Sequence, residues 1–457
     1  MNFFRFSKSA SGLTSRRGSA IIGAIGIAVV GAAVVGGYLK MAYNEYTLSK
    51  RTLQLQSAMN LAEAGLEEAM IAINTKDVSG WSSVGSNGYY TTITDLSFTD
   101  TRTGPVKVYF EYNNKLPILV SEGRIINASG SEIVNQIRVD LKKSSLFGNA
   151  LTAKQTIDFS GSPVSVDAYD STVGDWDATT NRLDQATVAS LSVNNGALDV
   201  GNGDIYGYVA TSGGTPDVGP GGSIMGDGST ETMDMSRVST SFYANLWDIS
   251  VPTGTVDGVN YIVDYTSLAP GSIGSSGTST NPEVYHITSF SMASSDQLNI
   301  VGPTVIIVDG DFSISGGAGI NIIGVGSSLE MYAAGDVKIG GNGFLNDQLN
   351  PESFQLWGTA PSPTTQKISI LGNGDTAGVI YAPNADLVIA GNGGMSGSAV
   401  AKKINIMGEV DFHYDINLKE FDKHSRFTVG RWRELRAATE VLDFTDMTAL
   451  AASISPL

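Results

Sequence analysis

Cysteine is absent from the 457 residues. No disulfide, thiolate nucleophile or cysteine-ligated zinc site can form, so a packed core must supply the stability. Histidine is scarce, at three residues (His286, His413 and His424), which leaves few candidates for general-base chemistry. Charged residues make up only 16% of the chain and the net charge is −17, which excludes a broad basic surface for nucleic acid. Between Leu146 and Asp415 arginine occurs only at Arg182 and Arg237. Acid–base cleavage of a sugar chain calls for paired carboxylates close to the bond that breaks. The carboxylate pairs on offer, Asp175/Asp177 and Asp309/Asp311, sit in glycine-rich turns, where acids are ordinarily solvated. The expectation is that the chain is not an enzyme.

Against these shortages stands an abundance of glycine, 54 residues, with proline ordinary at 14. That mixture favours short strands and tight turns over long soluble helices. The length allows two or three domains. One apolar run departs from the pattern. Ser19–Leu39 carries no charge and no proline, and as a helix it rises about 31 Å, enough to cross a bilayer core. Arg5, Lys8, Arg16 and Arg17 precede it without an acid. This places the N-terminus in the cytoplasm and the rest outside the membrane, in the periplasm or at the cell surface. The run is too long, and lacks a following Ala-x-Ala site, for a cleaved secretory signal. Ala20, Ala24, Ala28, Ala32 and Gly36 recur at every fourth position, a spacing that lets another helix approach closely in lipid.

Helical character continues to Asn74. Leu48, Leu55, Met59, Ala62, Leu66, Ala69 and Ile73 form an apolar stripe that needs a partner, with Gln54, Asn60, Glu63 and Glu67 on the other side. A short parallel coiled coil is the competing account, but the repeat spans few heptads.

A basic leader ending in Arg16-Arg17-Gly18, the uncharged helix and the segment Asn60-Leu61-Ala62-Glu63-Ala64-Gly65-Leu66-Glu67 together resemble the PilX-type minor prepilins of type IV pili. The resemblance covers about the first 75 residues and extends towards Ser145. It implies cleavage by a prepilin peptidase between Gly18 and Ser19. It also implies assembly with other pilin subunits and a role in filament priming or adhesion, with membrane lipid and a surface glycan as further partners. Gly23 stands where major pilins carry a glutamate, a departure shared by some tip-located minor subunits.

The expected domains are a leader (1–18), a transmembrane and amphipathic helix (19–74) and a pilin-like head (75–145). A glycine-rich domain (146–415) and a tail (416–457) follow. In the head, Asp77–Asn87 reads as a loop, and Val106–Tyr112, Pro117–Ile126 and Glu132–Lys142 read as an antiparallel meander over the helix stripe.

Beyond Leu146 a pattern of apolar, any residue, apolar, any residue, glycine recurs. It appears at Ile157–Gly161, Leu298–Gly302, Phe312–Gly316, Ile320–Gly324, Ile368–Gly372, Leu387–Gly391 and Ile404–Gly408, with Val337–Gly340 as a shortened copy. Ile320 to Val337 and Leu387 to Ile404 both span 17 residues. Two apolar residues facing one core and a glycine at the turn suit stacked coils, hence a parallel β-helix, with a β-sandwich as the alternative. The pattern fades between about Thr211 and Thr280, which reads as insertions. The tail, with Arg426, Arg431, Arg433 and Arg436, reads as a helix over Gly430–Leu442 that caps the coils or docks an acidic neighbour. The fold class is therefore mixed and mostly β, with a long N-terminal helix.

Phe412-His413-Tyr414-Asp415 is the most distinctive local string. The same string resembles the close of a glycine-rich β-helical domain that accompanies pilin-like N-termini. His413 reads as a hydrogen-bonded structural histidine before it reads as a base, because no G-x-S-x-G motif accompanies it. No cofactor is expected. Calcium has one weak signal: Gly316–Asn321 nearly matches the start of the calcium-binding nonapeptide, with Asn321 where aspartate belongs and no tandem copy. Gly391–Gly394 lacks the Lys-Ser/Thr of a phosphate loop. The alternative function is a solitary anchored β-helix that binds carbohydrate or degrades polysaccharide.

Overall fold

The computed structural model describes residues 16–96, 102–113, 116–127, 130–161, 163–229, 231–252, 255–256, 259–260, 263–265, 268–341, 343–372, 376–436 and 440–454. Most of the expected leader, residues 1–15, lies outside them. The chain divides into two compact units: Met1–Lys142 with Phe427–Leu457, and Lys143–Arg426.

In the first unit, helix α1 (Arg16–Thr75) runs 60 residues without a break, about 90 Å along its axis. Every side chain from Ala20 to Leu53 is exposed, so the apolar run has no partner among the described residues, which is compatible with a membrane anchor. From Ala58 onward the helix buries Ala58, Leu61, Ala62, Leu66, Ala69, Ala72 and Ile73. This stripe starts later than the sequence suggested. Leu48 and Leu55 are 67% and 40% exposed, while Gln54, expected on the solvent side, is buried and donates to Asn127 Oδ1. The cause is the reach of the sheet: the turn that holds Asn127 marks the level at which its cover begins.

That sheet contains β1 (Ser82–Val84), β2 (Gly88–Ile93), β3 (Arg102–Thr103), β4 (Val106–Asn113), β5 (Leu116–Ile126) and β6 (Glu132–Ser144). The order is β1-β2-β4-β5-β6, with β3 beside β5, and these pairs are antiparallel. β1 lies within the segment read as a loop. Alternation along β4 and β5 sends Val106, Val108, Phe110 and Leu119 towards α1 and Tyr109, Ile118 and Val120 to the opposite face. Two glycines set the helix–sheet distance. A Cβ on Gly65 would fall 2.7 Å from Val106 Cγ1, and one on Gly123 would fall 2.6 Å from the Ala62 nitrogen.

The tail corrects the sequence reading. The segment read as a helix from Gly430 begins instead as strand: Arg426–Leu435 lies next to β6 in the head sheet. Phe427, Thr428, Val429 and Trp432 favour strand, and Gly430 packs closely on β6, where its Cβ would lie 2.9 Å from the Asp140 carbonyl oxygen. The helix comes later, as α2 (Met447–Ser453), capped by Asp446. Leu435, Phe444, Leu450 and Ile454 close the outer face of the sheet over Tyr109, Ile118 and Val120. Residues 416–426 stay with the second unit, where Leu418 is buried in the core, and from Phe427 onward the tail thus belongs with the head. Two side-chain amides grip its backbone. Asn74 donates to the Phe427 carbonyl at 3.1 Å and accepts from the Phe427 N–H at 2.7 Å. Gln136 does the same for Leu442, at 2.7 and 2.8 Å. Each amide supplies the donor and acceptor that a neighbouring strand would supply.

In the second unit, β7 (Leu151–Phe159), β8 (Val164–Tyr169) and β9 (Ala186–Ser190) enter a sheet of 19 strands among the described residues. Its strand pairs among the described residues are parallel, with registers that carry the repeated pattern. Phe290 pairs with Phe312, Phe312 with Val337, Val337 with Ile368, Ile368 with Leu387 and Leu387 with Ile404. All are buried. A separate parallel sheet stacks Gly271–Ile273, Gln297–Ile300, Gly319–Ile322 and Gly343–Asn346. The stacking order is not the chain order. The first strand lies beside the last long one: Ile157 pairs with Ile404 and Phe159 with Ile406, while Val166 pairs with Phe412. The ends of the unit are held together as well, by Lys143 Nζ and Asp422 Oδ2 at 2.5 Å and by Ser145 Oγ donating to the Leu418 carbonyl at 2.8 Å.

Part of the segment read as insertions, around Leu246, Trp247 and Ile249, packs against the core. Tyr381 donates to the Trp247 carbonyl at 2.8 Å and Asn384 to Asp248 at 2.9 Å. It therefore straps the side of the stack.

Replacing Gly123 with valine sets a side chain against the α1 backbone. The expected outcome is a loss of about 1–3 kcal/mol in the head, read as faster amide exchange across residues 58–73 of the full chain in detergent. Unchanged exchange there would contradict the close packing.

Candidate functional site

The packing periodicity sends Val166, Phe412 and Met395 inward, so the residues next to them, Asp167, His413 and Ser396, leave the outer face of their strands. They are register partners across three neighbouring strands: Ser396 opposite His413, and His413 opposite Asp167. His413 Nδ1 lies 2.6 Å from Asp167 Oδ1. The other Asp167 oxygen accepts from Trp176 Nε1 at 3.2 Å and pairs with Arg182 Nε at 3.2 Å. Asp167, only 2% exposed, thus meets an imidazole, an indole N–H and a guanidinium, which offsets the cost of burying it.

The loop between β8 and β9 supplies the roof. Trp176 stacks on the His413 ring at 3.9 Å between centroids and 21° between planes. Asn181 ties the loop together, donating to the Asp170, Gly174 and Asp175 carbonyls. Asp177 accepts from Thr179 and Thr180, and these bonds, those of Thr179 first, hold its carboxyl well below the usual range. Beneath the roof is a cleft of about 310 Å³, bounded by Tyr169, Asp175, Asn392, Gly393, Asp411 and His413, with Ser396 on its floor. Burial, and then the charge of Asp415, pushes the Tyr169 hydroxyl above its ordinary pKa, so it remains a neutral hydroxyl at physiological pH.

Arg182 and Arg237, the two arginines between Leu146 and Asp415, are both committed. Arg182 lies over the Tyr206 ring at 3.7 Å while paired with Asp167. Arg237 lies over Tyr208 at 4.8 Å and pairs with Asp184 at 2.7 Å. The expected carboxylate pairs do not converge on a shared site. Asp177 turns into its own loop, Asp309 contacts His286 Nε2 at 3.0 Å, and Asp311 accepts from the Asp336 N–H at 2.9 Å. Asn321 donates to Gln297 Oε1 and Asn299 Oδ1, at 3.0 and 2.9 Å, and so joins an amide ladder between coils. Among the described residues no group of three or more His, Asp or Glu is arranged to hold a metal ion. Gly391 packs against Gly408, whose φ of +89° lies in the region glycine tolerates. His424 bonds Tyr332 at 2.8 Å, away from the cleft.

Ala20, Ala24, Ala28, Ala32 and Gly36 are all exposed on α1, and Gly18–Ser19 lies within its first turn. Sequence reasoning missed Asp167, Trp176 and Ser396 as companions of His413. Asp167 reaches His413 only through a strand pairing between opposite ends of the unit, which leaves no local signal.

Residues 255–421 match a family described as a domain of unknown function, DUF7305. No curated protein matches the chain. Among solved structures the chain is similar to the crystal structure of the competence-associated pilin ComZ from Thermus thermophilus, at 9% identity over 83% of this chain and 97% of that one. The TM-score is 0.21, and at that value the likeness carries no argument.

Replacing Arg182 with methionine removes the ion-pair partner of Asp167 and uncovers Tyr206. The expected outcome is a loss of about 1–3 kcal/mol, concentrated in the loop and read as faster amide exchange over residues 170–182. Exchange that stays the same would show that the ion pair does not hold the roof.

Proposed function

We propose that the protein is a pilin-like, PilX-type minor subunit of a type IV pilus or related filament, anchored and assembled through α1. The stacked coils of the second unit are, in this reading, a parallel β-helix displayed outside the membrane for filament priming or adhesion. The observation that carries the reading is the division of α1: its apolar half has no partner among the described residues, while its second half packs on an antiparallel meander. An apolar helix face of that length needs lipid before assembly and other helices after it. Ala20, Ala24, Ala28, Ala32 and Gly36 offer the close-packing stripe, so the partners are other pilin subunits, membrane lipid and, before assembly, a prepilin peptidase acting at Gly18–Ser19.

The mechanism is association, with the coils as the surface presented, a surface glycan being one target. No cofactor enters it. Cleavage of acidic polysaccharide by a solitary anchored protein is not favoured, because Arg182 and Arg237 are both held between carboxylates and tyrosine rings.

The test is the N-terminal residue of the protein recovered from membranes, with and without the prepilin peptidase. A start at Ser19 that depends on the peptidase is the expected result. An intact leader in both strains would overturn the processed-subunit reading.

A further inference from the structure

We infer that the side chains of Lys154 and Asn384 condense to an amide cross-link, with Asp248 carrying the proton to the departing ammonia. The inference is independent of the filament reading. Lys154 lies on β7 and Asn384 on Thr376–Gly391, and Met395–Gly408 runs between these strands. Pairing slips on both sides of that middle strand, between Ala382 and Asp386 and between Ala153 and Thr156. Lys154 and Asn384 both fall in the slips, where irregular pairing re-aims side chains out of the ordinary alternation. They meet across the intervening strand: Lys154 Nζ donates to Asn384 Oδ1 at 3.1 Å. Asn384 Nδ2 donates to Asp248 Oδ1 and to the Ala360 carbonyl, both at 2.9 Å. One donor at the oxygen and two acceptors at the nitrogen give the amide a single orientation.

Asn384 is 8% exposed, and a buried amide needs partners, but neutral ones would serve. Here one end meets a primary amine and the other a carboxylate, the nucleophile and the proton carrier that amide exchange requires. The carbon to be attacked lies one carbonyl bond, about 1.2 Å, from the oxygen that Lys154 already touches. Burial lowers the Lys154 pKa from its ordinary value against the pull of Asp248, and Lys402 lowers it further, which increases the share of free amine.

The free amine of Lys154 adds to Asn384 Cγ. A proton passes from Nζ to the Asp248 carboxylate and on to Nδ2. The bond between Cγ and Nδ2 breaks, ammonia leaves, and the carbonyl re-forms as a secondary amide that keeps one hydrogen on Nζ. One amine and one primary amide give one secondary amide and one ammonia, so atoms and charge balance without an oxidant, reductant or co-reactant. The bond ties the first strand of the unit to a strand beyond its neighbour, in a chain that has no cysteine to do so. Asp248 comes from the segment that straps the side of the stack, so the cross-link forms only once that segment has packed.

The experiment digests the full-length protein, purified in detergent, with trypsin and sequences the peptides by mass spectrometry. The expected product is a branched peptide, short of one ammonia, in which Lys154 is uncut and joined to Asn384 of the peptide that starts at Ile368. Lys154→Arg, which keeps the charge, should abolish it, and Asp248→Asn should reduce it at least about tenfold. Thermal unfolding establishes that each variant is folded. Only linear peptides from the folded wild-type protein would overturn the inference, whatever the variants do. A branched peptide that a folded Asp248→Asn yields undiminished would overturn the role given to Asp248.

Discussion

The second unit depends on one pairing, that of its first strand with its last long strand. A parallel sheet exposes backbone donors and acceptors at every free edge, and β7 lies between Met395–Gly408 on one side and Ala186–Ser190 on the other. Ile157 and Phe159 fill the row that Ile404 and Ile406 continue, so the apolar interior runs unbroken where chain continuity is lacking. The same pairing brings Asp167 to His413. It also leaves the two ends of the unit adjacent, which is the condition for inserting a domain into another without disturbing its host.

The host has a complementary dependence. Its sheet is built by residues from before and after the insertion, because β6 is followed in the sheet by a strand from the C-terminal tail. The outer face of that sheet gains Leu435, Phe444, Leu450 and Ile454 only when the tail is in place. Asn74 and Gln136 fix its path with paired amide hydrogen bonds rather than with apolar contact alone. On the inner face, small residues on α1 and Gly123 on β5 admit a close approach between helix and sheet. The first half of α1 lies outside this contact, with every side chain from Ala20 to Leu53 exposed.

Much of this architecture is legible in local periodicity. The apolar-x-apolar-x-glycine runs mark inward-facing pairs, such as Leu298 with Ile300 and Leu387 with Ile389, because side-chain alternation is a property of each strand by itself. The meander in the head is equally local, set by Asn113-Asn114 and by the turn after Ile126. Stacking order is different, since every coil repeats the same pattern and Ile157 could pair with several rows. The tail misled for a related reason. Arg431, Trp432, Arg433 and Leu435 suit a helix face as well as a strand, and the neighbour that decides between them, β6, is remote in sequence. The candidate site was visible only at His413. Ser396 and Asp167 carry no motif, and their places opposite His413 follow from register alone.

The absence of cysteine makes the central pairing directly testable. Asp158 and Asn405 are register partners on β7 and Met395–Gly408, at a Cα separation of about 4.8 Å, within the range a disulfide spans. A chain carrying Asp158→Cys and Asn405→Cys, oxidised in the folded state, should form an internal cross-link that shifts its mobility on a denaturing gel. A chain pairing Asp158→Cys with Asn299→Cys should not. Failure of the first pair to cross-link, or equal cross-linking of both, would contradict the closure of the stack by its own first strand.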